Sequence, residues 1–129
     1  VRIALSVAFG AGLGGLFRVT AAAGMLRLFN SDFPFGILLV NVVGSFLIGF
    51  LATITAPDGR FYLSPASRQF ALAGFCGGFT TFSFFSLQTM QLLEDGKIGA
   101  AVLYSVLTLM LGMIAVWLGH GLGMRMNRS

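Results

Sequence analysis

The sequence predicts an all-α membrane protein with four transmembrane helices, the third of them broken near its middle. Three observations carry that prediction. Only 9% of the 129 residues are charged and 57% are hydrophobic, whereas an ordinary soluble domain is about a quarter charged. The apolar residues fall into four blocks, each long enough for the ~20 helical residues that cross a bilayer. The acidic residues, Asp32, Asp58, Glu94 and Asp95, all lie between blocks. Strands are a poor alternative, because barrel strands are shorter and alternate in polarity.

The first span covers about 3–26 and carries Arg18 deep inside it. With three further spans behind it, it reads as a retained helix rather than a cleaved leader. A connector holding Arg27, Asn30, Ser31 and Asp32 leads to Pro34, a residue suited to a first helical turn. The second span, about 34–56, is closed by Pro57-Asp58-Gly59-Arg60 and a turn-rich stretch ending at Ser64-Pro65. The third runs about 66–93 to the tight turn Glu94-Asp95-Gly96-Lys97. The fourth covers about 98–122 and leaves a short tail, Gly123 to Ser129, so that 1–129 forms one transmembrane domain.

The third span is the anomalous one. An unbroken helix of its length would extend roughly 42 Å, against a hydrocarbon core of ~30 Å. It is tilted, or protrudes at Arg68 and Gln69, or is broken. The stretch GFCGGFTTFSFFSLQT, Gly74 to Thr89, lies at mid-depth where a break would fall. Gly77-Gly78 permits the backbone to turn there. Broken helices persist in membranes where protein or a water-lined cavity satisfies the freed backbone groups.

Small residues recur four apart at Gly10/Gly14, Ser45/Gly49, Gly74/Gly78 and Gly119/Gly123, a spacing that lets helices approach closely in lipid. Four helices leave little room for a solvated path within one chain, which favours an oligomer. The net charge of +4 comes from basic residues scattered singly, with no stripe to track nucleic acid. Arg2, Arg60, Arg68, Arg125 and Arg128 fall on one side and Arg27 and Lys97 on the other. That five-to-two bias favours the first side in the cytoplasm and runs against insertion in both orientations. Cys76, the single cysteine, excludes an intrachain disulfide and reads as an inert small hydrophobe.

No carboxylate lies inside a span, which argues against a cation-coupled transporter and against a small multidrug exporter. There is no nucleophile–base pair and no metal-ligand set, so an enzyme has nothing to stand on. Arg18 keeps its charge at depth; it either draws an anion or donates to backbone carbonyls. Asn41 either binds an ion or bridges two helices. Phe75, Phe79, Phe82 and Phe85 share a helix face. Phenyl edges are positive, so they attract an anion without trapping it, with Thr80, Thr81, Ser83 and Ser86 as hydroxyl donors alongside. The blander reading is aromatic packing with hydroxyls bonded back to i−4 carbonyls.

The run GGFTTFSFFS at 77–86, with Arg18 in the first helix and Asn41 in LLVNVVGSFLIG, resembles the signature of the CrcB/Fluc family of fluoride channels. The likeness extends over four spans and the length of the chain. It implies a fluoride-selective channel for passive fluoride export, set in the bacterial inner membrane as an antiparallel, dual-topology homodimer. By that resemblance Phe82 and Phe85 contact fluoride, Asn41 lines the pore, and Ser83 and Thr81 belong to a polar track. Tyr104 contributes from the fourth helix, and Arg18 stands in a vestibule. Gly77 and Thr80 offer backbone carbonyls, from both subunits, to one central structural Na⁺. The family run is commonly TTFSTF, so Phe84 stands where a threonine is usual. The residues taken alone are also compatible with a broader anion channel, or with a non-transport scaffold or assembly subunit.

Overall fold

The computed structural model describes residues 1–29 and 33–128; Asn30, Ser31 and Asp32 of the first connector lie outside that range. Four helical segments are long and apolar enough to cross a membrane, and the chain is a multi-pass membrane protein. Helix α1 (Arg2–Phe29) and α2 (Phe35–Ile54) are continuous. The third crossing is a succession of α3 (Pro65–Gln69), a π-helical stretch (Phe70–Cys76), α4 (Gly77–Phe79) and α5 (Phe82–Glu94). Helix α6 (Ile98–Arg128) follows a turn in which Gly96 takes φ +76°, a conformation glycine adopts without strain.

The break expected in the third crossing is there, but not at the paired glycines. Cys76 and Gly77 keep helical dihedrals, and the chain becomes extended at Thr80 and Thr81. The π-helical stretch before it was not expected. The small-residue pairs explain where the glycines went instead. A Cβ on Gly10 or Gly14 would strike the backbone of Phe70 or Phe75, and one on Gly74 or Gly78 would strike that of Gly10 or Ala11. The glycines are the contact surface between α1 and the third crossing.

Helices α2 and α6 form the most extensive pair, closed by Gly49 against Val116 and Gly119 against Phe46. The expected tail is helical as far as Arg128, because it has partners. Gly123 packs against Thr53, Asn127 Nδ2 donates to the Thr53 carbonyl at 3.1 Å, and Arg60 Nη1 donates to the Met126 carbonyl at 3.1 Å. Thr53 also meets His120 Nδ1 at 2.8 Å. Arg68 is spent inside the bundle on Thr55 Oγ1 and the Ala52 carbonyl, both at 3.1 Å. The core cluster, including Val40, Phe79, Leu92 and Tyr104, fills the other half, beside the break.

Candidate functional site

The break is built by a residue forty positions away. Asn41, on α2, accepts from the Thr81 N–H at 2.7 Å and returns a bond from Nδ2 to the Thr81 carbonyl at 3.0 Å. Its amide therefore acts as a rung of β-ladder for one extended residue, and both ends are satisfied. Thr81 Oγ1 then accepts from the Phe84 N–H at 3.2 Å and lies 3.1 Å from Ser83 Oγ, capping α5. On the other side of the break, Thr80 N and Oγ1 both donate to the Cys76 carbonyl. The Thr81 N–H would close the next helical turn onto Gly77, but Asn41 diverts it, leaving the Gly77 carbonyl without that rung. Arg18 Nη1 donates to the Thr80 carbonyl at a long 3.5 Å.

Helix α5 lines two open cavities that share no lining residue, and only the first is lined by Thr80 and Thr81 of the break. The first is a groove of about 400 Å³ between α2, the break and α6. Asn41, Gly77, Thr80, Thr81, Phe82 and Phe85 all line it, and no charged side chain does. Phe82 is 78% exposed and lies 5.6 Å from the half-buried Phe85, the rings tilted by 52°. The four phenylalanines do not form one stripe, since the break splits them. Phe75 and Phe79 stack at 5.9 Å on one side of it, with Phe79 buried, while Phe82 and Phe85 pair on the other.

Sequence reasoning missed three polar residues of the groove: Ser45, Ser105 and Thr108. Ser45 and Ser105 bond back to the Asn41 and Ala101 carbonyls. Thr108 Oγ1 is buried without a hydrogen-bond partner among the described residues. The signal was present in the spacing, since Ser105, Thr108 and Gly112 follow one another down one face of α6. The outer hydroxyls of the quoted run behave as the blander reading supposed: Ser86 bonds to Phe82 O and Thr89 to Phe85 O.

The second cavity, about 490 Å³, holds Arg18 and Phe84 together with Gln88, Gln91, Asp95 and Lys97. Arg18 is thus outside the groove, and Ser83 is exposed without lining it. Tyr104 lines neither cavity. It is fully buried, donates its hydroxyl to Gln88 Oε1 at 2.8 Å, and packs 5.1 Å from Phe85 and 5.6 Å from Phe33. It backs the Phe85 ring rather than presenting a donor.

A groove with no fixed charge, edged by phenyl rings, suits brief contact with a small anion; the Ser45, Thr80 and Ser105 hydroxyl protons are already given to backbone carbonyls, so the positive ring edges carry the contact and none of them traps the ion. Comparison with known proteins gives the family. The family model described as CrcB-like protein, Camphor Resistance (CrcB), matches residues 5–120. A protein of Rhodopseudomonas palustris named fluoride-specific ion channel FluC 1 is 48% identical, over 95% of this chain and 86% of its own. One of Opitutus terrae, named fluoride-specific ion channel FluC, is 49% identical over 90% of this chain and 88% of its own. A third, of Paramagnetospirillum magneticum and of the same name, is 43% identical over 95% of both. With a match this long, on top of a broken third helix pinned by Asn41, the chain belongs to the CrcB-like family.

Proposed function

We propose that this protein is a fluoride-selective channel that lets cytoplasmic fluoride leave the cell passively. The observation that carries the reading is the uncharged groove at the helix break, where Phe82 and Phe85 line one open space. Fluoride enters an acidified cell as HF, dissociates in the more neutral cytoplasm, and is held there as an anion. A negative-inside potential drives it out, by about 2.3 kcal/mol per charge per 100 mV. Asn41 contributes by holding the break, Thr81 by capping α5, and Tyr104 by backing Phe85. Ser83 reaches the path through its contact with Thr81.

The groove is open along one side, and a second copy of the chain in the opposite orientation would close it. We place that antiparallel homodimer in the bacterial inner membrane. Na⁺ fits as a structural ion at the centre: the Gly77 carbonyl lacks its helical rung and the Thr80 carbonyl stands outside any helix, so two copies would offer four hard oxygen donors. Arg18 occupies one lone pair of Thr80 and leaves the other. When bound, the ion supplies positive charge between the two breaks.

The test is fluoride efflux from liposomes holding the purified protein, read with fluoride and chloride electrodes and with valinomycin carrying K⁺. Fast fluoride release without chloride is expected, slowed at least tenfold by Phe82→Ile or Phe85→Ile. Release of both anions would replace fluoride selectivity with a broader anion pore. Release of neither, from folded dimer, would leave a scaffold role. The same assay with Na⁺ replaced by choline from purification onward tests the cation, and an unchanged rate would remove it.

A further inference from the structure

Arg18 stands at mid-depth in α1, where a charge is costly and a carboxylate is its usual partner. Its partners among the described residues are instead the Thr80 carbonyl, at a long 3.5 Å, and the ring of Phe84. The guanidinium carbon lies over that ring, 5.7 Å from its centroid. Arg18 and Phe84 line the second cavity, which shares no lining residue with the groove. The Phe84 N–H bonds to Thr81 Oγ1, which fixes the first turn of α5 to the break.

A phenyl face and a carboxylate differ in what they leave behind. A carboxylate would pin the guanidinium more firmly, but its negative charge would repel an approaching anion. The phenyl face is negative only as a quadrupole. It covers one side of the flat cation, attracts it weakly, and leaves its net positive charge and remaining N–H donors facing the cavity. A threonine here is too small to cover a guanidinium and has no such face.

The geometry points to Phe84 as a positioning residue that sets how strongly Arg18 holds an anion on its way to the break. This rests on the channel reading. With the ring present, the guanidinium is drawn back onto α5 and its grip on a passing anion is loosened. With the ring absent, Arg18 swings into the cavity and holds the anion longer.

The experiment is liposome efflux across a range of fluoride concentrations for wild type, Phe84→Leu, Arg18→Gln and the double variant. For Phe84→Leu the half-saturating concentration falls about threefold, with a matching fall in maximal rate, the size expected of one weak cation–π contact. In the Arg18→Gln background the same leucine substitution shifts neither parameter, since its effect passes through the arginine. Phe84→Tyr, which keeps a ring face, recovers most of the difference. Should the leucine variant not assemble, Phe84→Met takes its place. Equal parameters for wild type and Phe84→Leu would overturn the inference while the channel stands. So would an equal shift in both backgrounds, which would make Phe84 a packing residue. Wild-type protein that releases no fluoride removes the channel reading and this inference together.

Discussion

Asn41 shows how one side chain can fix a backbone. Its amide takes the N–H and the carbonyl of Thr81 at 2.7 and 3.0 Å, so the extended residue never faces lipid with open valences. Asn41→Leu would leave both groups unpaired, at roughly 1–3 kcal/mol for each buried group. The expected result is a lower denaturation midpoint in mixed detergent together with loss of efflux. A variant as stable as wild type would mean that the break holds itself. Sequence reasoning singled out Asn41 and left its role open between ion binding and bridging; the structure shows the bridge. Thr108 went unnoticed because hydroxyls in membrane helices ordinarily bond to the i−4 carbonyl, as Ser105 does, whereas its own is buried without a partner among the described residues.

Among the elements, α1 and the third crossing are joined through glycine. Adjacent residues make the test sharp. A Cβ at Gly14 would enter the Phe75 backbone, which cannot move aside, whereas at Gly15 nothing lies within 4 Å. Gly14→Ala should destabilise by about 1–3 kcal/mol, and Gly15→Ala should be neutral or stabilising by up to about 1 kcal/mol; both are read from the denaturation midpoint. A damaging Gly15→Ala would show that the open face of α1 is covered in the assembled protein. Hydropathy marked out four blocks, which the long apolar helices overlap. It could not show the π-helical stretch, because widening a turn alters backbone register and leaves side-chain composition unchanged. Nor could it place the break, since Gly77-Gly78 carries the local signal for a turn while the partner that extends Thr80 and Thr81 is on another helix.

At the scale of the whole molecule, its basic residues decide which way it faces the membrane. Of the basic residues biased to one side, Arg68 is already committed to Thr55 and Ala52, and Arg60 to Met126 and Asn127. All these acceptors are uncharged, so the arginines keep their charge and the proposed antiparallel pair has to insert against a five-to-two bias. A single reactive site on the opposite side measures this: in Glu94→Cys, with the native Cys76 buried, about half of the protein in intact cells should react with an impermeant maleimide. Complete or absent reaction would mean one orientation and would exclude a dual-topology homodimer. The clasp between Arg60, Thr53 and Asn127 has a further bearing, on timing. It joins residues 67 and 74 positions apart, and the extensive α2–α6 contact spans a similar distance. During synthesis α1 and the third crossing are therefore complete and able to pair while α2 still waits for its neighbour. The face of α2 bearing Gly49 and Thr53 is the last to be covered, and a ribosome slowed within α6 would prolong the interval in which a wrong helix could take that place.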